Sequence, residues 1–185
     1  MASRVVKQKV VQILKKGGVG VIPTDTLYGI VGQALNKKAV AKIYYLKKRN
    51  PKKPFIILIS SINDLKKFGV TLRPAYYSLI TKFWPGKISI IFKCQDPKYR
   101  YLHRGTKSLA FRLPNDKELI KLIKKTGPLV APSANTEGGP PAKTIIQAEK
   151  YFKNKIDFFL NGGRLNRKPS RLITIEDGRI KSLRR

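Results

Sequence analysis

Four short segments hold the side chains whose types and spacing could do chemistry. The densest is Lys47-Lys48-Arg49 followed by Lys53-Pro54, cations flanking a loop that Pro51 and Pro54 stiffen. Arginine offers bidentate contacts to phosphate oxygens and lysine a mobile point charge, so such a loop can aim several charges at one triphosphate. Lysine clusters recur along this chain, and a solvated face would account for this one too. The second segment is Pro23-Thr24-Asp25-Thr26-Leu27-Tyr28-Gly29, after an apolar run. Its two hydroxyls and one carboxylate could bind a small polar substrate beyond a strand end, or could serve a turn or helix cap. The third, Pro132-Ser133-Ala134-Asn135, offers a hydroxyl and an amide to a ribose or phosphate, with a capping or Asx turn as the alternative. The fourth is Ser108 with Arg112. On a strand, positions i and i+4 share a face, so both can reach one pocket. A buried Arg112 needs an anion, which a substrate carboxylate or a structural Asp would supply.

What is missing narrows the chemistry. No Walker-type glycine loop is present, and Gly17–Gly20 lacks the dinucleotide-binding spacing. Cys94 is the only cysteine, set in an apolar run as a small buried hydrophobe, so no disulfide can form within the chain. His103 is the only histidine, and surface placement is its simplest reading. No side chains have metal-ligand spacing, and no metal site is expected. Catalysis must rest on cations, hydroxyls and backbone donors, a set suited to nucleotidyl transfer. The 185 residues carry 40 Lys and Arg against 10 Asp and Glu, a formal charge of +30. Such a field favours anionic partners, nucleotides or RNA, although compositional drift produces the same bias. No stretch is long and apolar enough for a membrane span, and the N-terminus lacks the pattern of a signal peptide. A cytoplasmic protein is expected.

The elements that must position these residues alternate. Val6, Val10, Ile13 and Leu14 recur at helical spacing before Gly17-Gly18. Val19–Ile22 reads as a buried strand, Ala39–Leu46 as a helix, 49–54 as a loop and Phe55–Ile59 as a strand buried on both faces. Helices are expected at Ile62–Phe68 and Pro74–Phe83, a turn at Trp84-Pro85-Gly86, and strands at Ile88–Lys93 and Ser108–Leu113. Then follow helix Glu118–Lys125, strand Leu129–Ala131, a Gly/Pro loop from Glu137, helix Ile145–Phe152 and strand Ile156–Leu160. Leu172–Ile175 and Arg179–Leu183 would close a hairpin around Asp177-Gly178. This is an α/β chain of one domain, residues 1–185, with a mixed sheet.

Taken in order, these segments resemble the YrdC/TsaC family of threonylcarbamoyl-AMP synthases. The matching pieces are Gly18 through Gly29, the K-x-R of Lys47 and Arg49, Lys53-Pro54, Trp84-Pro85-Gly86, Ala110-Phe111-Arg112-Leu113-Pro114, Pro132-Ser133-Ala134-Asn135, Gly162-Gly163-Arg164-Leu165-Asn166 and Pro169-Ser170. The resemblance implies a YrdC-like twisted mixed sheet flanked by helices, with a basic concave surface. It implies ATP, magnesium, bicarbonate and L-threonine as reactants. The product, threonylcarbamoyl-AMP, would pass to a downstream tRNA threonylcarbamoyltransferase complex. By the same resemblance Lys47, Arg49, Ser133 and Asn135 form the catalytic K-x-R and S-x-N tetrad. Arg49, Lys53, Ser108, Ser133, Asn135 and Arg184 fall where the family contacts ATP, and Thr26, Arg112 and Ser170 where it contacts threonine. There are departures: Lys87 and Ser89 follow the Trp-Pro-Gly turn where Pro and Thr are usual, and Arg171 follows Ser170 where Thr is frequent. The chain also ends at Arg185, without the extra C-terminal domain of longer members. A YciO-like branch of the fold lacks the K-x-R and S-A-N elements present here. The rival from another class is a non-catalytic RNA-binding protein using the basic face. RNA binders display exposed aromatics, whereas Phe55, Phe92, Phe111, Phe158 and Phe159 fall in apolar runs that read as core.

Overall fold

The computed structural model describes residues 4–72, 74–176 and 179–184. Alternation of apolar residues along each strand divides the core into two layers. In the first half of the chain lie α1 (Arg4–Lys15), β1 (Gly20–Pro23), β2 (Tyr28–Gln33), α2 (Lys37–Lys47), β3 (Ile56–Leu58), a 3-10 helix Ile62–Phe68, α3 (Pro74–Ile80) and β4 (Ile88–Lys93). The second half adds a 3-10 turn Pro97–Tyr99, α4 (Arg100–His103), β5 (Ser108–Arg112), α5 (Lys117–Thr126), β6 (Leu129–Val130), α6 (Ile145–Phe152), β7 (Phe158–Phe159), β8 (Arg171–Glu176) and β9 (Arg179–Arg184). The strands form one mixed sheet in the order β7-β1-β2-β6-β3-β5-β4-β8-β9. Val21, Ile30, Ile57 and Val130 point into the larger core beneath α2, α4 and α6. Their neighbours Ile22, Val31, Leu58 and Leu129 point the other way, onto Val10 and Leu14 of α1 and Leu119 and Ile123 of α5. A period of two on strands between helical layers produces this split.

The two helices α1 and α5 cover only part of their face. On β5, Leu109 and Phe111 enter the larger core, whereas Ser108, Ala110 and Arg112 line an open cavity on the α1/α5 side. Ile91 of β4 and Leu172 of β8 line it too. The concavity is therefore the stretch of sheet that these helices leave bare. A site beyond strand ends was expected, but the cavity runs across the sheet, along the whole length of β5.

Most expected elements are present, with Ile88–Lys93 and Ile145–Phe152 matching end to end. The expected helix from Pro74 stops at Ile80. Two elements escaped the reading, β2 and the short α4. In β2, Gly29 and Gly32 interrupt the apolar pattern. Gly32 is closely packed: a Cβ there would sit 3.2 Å from Ala39 Cβ and 3.3 Å from Ile43 Cδ1 of α2, which would have to give by a few tenths of an ångström. The closing hairpin is observed as antiparallel β8 and β9, while its turn residues Asp177 and Gly178 lie outside the described residues. Among the described residues no helix is long and apolar enough to cross a membrane.

Gly20 faces Phe158 across the β1–β7 ladder, and a Cβ on it would meet that ring at 2.4 Å. Gly20→Ala is expected to destabilise the fold by about 1–3 kcal/mol through overpacking, read as a lower urea midpoint at unchanged m-value.

Candidate functional site

Thr24 builds one wall. Its hydroxyl donates to Leu27 O at 2.7 Å and accepts from the amides of Thr26 and Leu27, closing the turn between β1 and β2. Thr26 Oγ1 lies 3.0 Å from Thr24 Oγ1, and both residues line the cavity. Asp25 points away from the cavity. Its carboxylate pairs with Arg112 Nη1 and accepts from Asn115 N at 3.3 Å, and Arg167 donates to its carbonyl at 3.1 Å. Of the readings left open, the structural Asp for a buried Arg112 is the one observed, because a buried guanidinium needs an anion. Arg112 still has a donor to offer. Nη2 reaches Thr26 Oγ1 at 3.4 Å, and Nε is buried without a partner.

A second wall depends on the end of α2. Asn36 caps its start, accepting from Ala39 N at 3.0 Å. Lys48 ends it in the left-handed region, φ 48°, an uncommon conformation for a non-glycine residue. The reversal sends Lys47 inward and Arg49 to the cavity. Lys47 is 1% exposed. Its ammonium donates to Ser133 O at 2.6 Å and to Asn135 O, with Asn135 Oδ1 at 3.5 Å. Burial, then the charge of Arg49, pulls its pKa down to about 7, and Glu137 opposes them. Asn135 is also fully engaged. Its Oδ1 accepts from Ser133 Oγ at 2.6 Å, and its Nδ2 donates to Thr136 O and Gly139 O. Arg49 and Ser133 line the cavity, whereas Lys47 and Asn135 do not. The tetrad is assembled, two members on the wall and two behind it.

The remaining expected residues divide. Ser108 and Ser170 line the cavity. Ser89, the departure noted in sequence, is fully buried and holds Ser170 by an Oγ–Oγ contact of 2.9 Å. Lys53 is not on the wall: it pairs with Glu137 at 2.8 Å on the rim, its side chain 58% exposed. Lys53 first, then the amide of Asn50, holds the Glu137 carboxyl below its usual range. Arg184 belongs to β9, opposite Leu172, and its side chain lies outside the described residues. His103 is buried, not exposed. Its Nδ1 accepts from Gly105 N at 3.1 Å, and its Nε2 has no partner. Cys94 is buried as expected, its thiol directed at Phe68 O.

Sequence reasoning missed the device that shapes the Asn50–Lys53 loop. The Arg104 guanidinium lies 4.4 Å over the Tyr44 ring, Tyr44 stacks on Phe55 at 4.1 Å, and Arg49 lies 5.7 Å over Phe55. From this stack Arg104 Nε donates to Pro51 O at 2.7 Å and Tyr44 Oη to Lys53 O at 3.0 Å. The aromatic at position 44, one turn before Lys48, was the available signal. Phe55 and Phe111 are buried as expected, while Phe92, Phe158 and Phe159 are half-buried.

The cavity enclosed by these walls has a volume of about 470 Å³, a size suited to a nucleotide-scale ligand. Its polar lining is hydroxyls and two guanidiniums, with no carboxylate. Comparisons with known proteins place the chain among relatives of this fold. The family model Sua5_yciO_yrdC, described as "Telomere recombination", matches residues 12–185. The threonylcarbamoyl-AMP synthase of Marinobacter nauticus is 32% identical over 170 residues, covering 90% of each chain. The crystal structure of P. abyssi Sua5 complexed with L-threonine superposes with a TM-score of 0.90 at 26% identity, over 100% of this chain and 55% of that one. E. coli YciO shares the fold at a TM-score of 0.86 and 22% identity, covering 100% of this chain and 90% of that one. The chain thus spans nearly all of the shorter relatives and about half of Sua5.

Lys47 makes stability depend on pH. Its folded pKa of about 7 lies below the ordinary 10.5, so between those values the unfolded chain binds more protons and the fold gains stability as pH rises. The stability of wild type minus that of Lys47→Met should rise from pH 7 to pH 10, by up to about 1.4 kcal/mol per pH unit. It should be level below pH 6. Urea unfolding across the series measures it, and a constant difference would refute the depressed pKa.

Proposed function

Because the chain belongs to the Sua5/YciO/YrdC family, we propose that it is a threonylcarbamoyl-AMP synthase, joining L-threonine, bicarbonate and ATP into threonylcarbamoyl-AMP with release of pyrophosphate. One observation carries the reading. Thr26, Arg49, Ser108, Arg112, Ser133 and Ser170, drawn from segments far apart in sequence, line a single cavity. The cations and hydroxyls there match a reaction in which the carboxylate, the carbamate and the phosphates all carry negative charge.

The chemistry has two bond-forming steps. The threonine amine attacks bicarbonate, and water leaves to give an N-carboxylate. That carboxylate attacks the α-phosphorus of ATP, and the bond to the β,γ-pyrophosphate breaks. Arg112, on the cavity lining, would hold the threonine carboxylate through its guanidinium, whose plane Asp25 fixes. The hydroxyls of Thr26 and Ser170 orient the amine and the substrate hydroxyl. Arg49, on the wall opposite, offsets charge that shifts on the α-phosphate. Ser108 and Ser133 give hydrogen bonds to the nucleotide. Lys47 and Asn135 act through Ser133, by fixing its carbonyl and hydroxyl. Lys53 would exchange Glu137 for phosphate oxygens, a low-cost exchange for an exposed pair. The resemblance also places Arg184, the last residue of β9, at ATP.

Among the described residues no three His, Cys, Asp or Glu side chains gather to hold a metal. Magnesium would therefore enter on the triphosphate, keeping water as its other ligands, as this ion does at nucleotide sites. The acyl-adenylate is a reactive mixed anhydride and would be passed to a complex that threonylcarbamoylates adenosine in tRNA. The rival reading, RNA binding without catalysis, draws support from the +30 charge but does not explain a lined cavity.

Pyrophosphate release decides between them. Release should require threonine and bicarbonate together, and Arg49→Ala should lower it by about 10²–10³-fold, the usual cost of losing one group that stabilises developing charge. Arg112→Lys should raise the threonine KM more than it lowers kcat. Release indifferent to threonine would refute the proposal.

A further inference from the structure

On the far side of the Asn50–Lys53 loop from the cavity lies a second, open cleft of about 510 Å³. It carries five cations, Lys37, Lys52, Lys98, Arg100 and Arg104, around Tyr101, and no carboxylate lines it. They come from α2, the loop, the 3-10 turn and α4, so the cluster is built by the fold and is not one run of sequence. None of the five forms an ion pair among the described residues. The nearest acid in sequence, Asp96, accepts from the Lys98 amide at 2.8 Å. Aromatic faces hold three of the cations: Lys37 lies 5.6 Å over Tyr101, Lys98 5.5 Å over Tyr99, and Arg104 4.4 Å over Tyr44.

Five like charges about one concavity repel one another and call for a multivalent anion. The cleft is too open to bury a mononucleotide as a small-molecule site does. A flat membrane could not enter it, and its apolar lining is limited to Pro51, Pro97 and the ring of Tyr101. A convex ridge of regularly spaced phosphates fits both its shape and its charge.

We propose that this cleft is a docking site for the phosphodiester backbone of RNA, separate from the cavity that takes the substrates. It is formed by the start of α2, the loop and α4, elements that pack on the sheet face opposite α1 and α5. The binding is sequence-independent and salt-dependent, because cations that touch phosphates displace condensed counter-ions. It does not rest on the synthase reading: RNA bound here without turnover would keep this site and remove that function.

The test must separate a local site from the general field of a +30 protein. Lys98→Glu/Arg100→Glu alters two exposed residues of the cleft. Lys124→Glu/Lys125→Glu makes the same charge change on α5, on the opposite face. Binding of a fluorescent RNA hairpin is read by anisotropy across a salt series, with inorganic tripolyphosphate as competitor. The cleft variant should bind at least tenfold more weakly, with the slope of log K against log salt reduced by about two. The α5 variant should lose no more than about threefold, and pyrophosphate release should stay within twofold of wild type in both. Equal weakening by the two variants overturns the proposal, since the field alone would then explain binding. Tripolyphosphate binding as tightly as RNA, and lost equally in the cleft variant, overturns it in favour of a small-polyphosphate site. Should the charge reversal impair folding, Lys98→Ala/Arg100→Ala is read against Lys124→Ala/Lys125→Ala by the same criterion, with a smaller loss of affinity and the slope again reduced by about two.

Discussion

The site depends on one buried ammonium. Lys47 leaves the end of α2 and bonds the carbonyls of Ser133 and Asn135, in the loop that follows β6. Glu137 N, in the same loop, adds a bond to Lys47 O at 2.8 Å. An unpaired charge in the interior is costly, and three oxygen acceptors lower that cost. The acceptors are fixed by their own bonds, Asn135 above all. The arrangement sets Arg49, two residues on, at a defined distance from Ser133. Glu137 ties the same two segments a second time, through the amide of Asn50 and the ammonium of Lys53.

How the two other key cations are held differs. Arg112 and Asp25 are each 4% exposed at the side chain, and such a buried pair resists loss of either partner. It fixes the guanidinium plane permanently. Lys53 and Glu137 meet on the rim, largely in solvent, where an ion pair contributes little and exchanges readily. The chain therefore combines a cation of fixed aim with one that can change partner. That division suits a small carboxylate substrate held deep and a flexible polyphosphate entering from the rim.

Much of this was legible in the sequence because it rests on local rules. The proline-bounded loop, the β-branched strands and the i, i+4 pair on β5 follow from backbone geometry alone. Ser108 and Arg112 share the cavity because a strand alternates its faces. What stayed hidden depends on contacts between distant segments. Tyr28–Gln33 did not read as a strand because Gly29 and Gly32 suppress its pattern, and the close packing of Gly32 is visible only once α2 lies on it. Asp25 looked like a substrate ligand because its partner Arg112 is 87 residues away. His103 looked like a surface residue because a polar side chain at the end of a four-residue helix carries no sign of burial. The resemblance located the tetrad but could not show that Lys47 and Asn135 stand behind the wall.

The stack of Arg104, Tyr44, Phe55 and Arg49 shows how a basic site can be ordered without being neutralised. Carboxylates would hold these arginines well, but each would cancel a charge that phosphates need. Aromatic faces attract a guanidinium through their quadrupole and leave its net charge intact. Tyr44 adds a directional bond to Lys53 O. Burial first pushes its pKa up to about 12, with Arg104 and Arg49 pulling the other way, so the hydroxyl keeps its proton at neutral pH and the bond persists. One stack thereby fixes both ends of the Asn50–Lys53 loop and presents a cation on each side of it. The loop can be rigid and strongly positive at once because π faces, rather than acids, hold its flanking arginines.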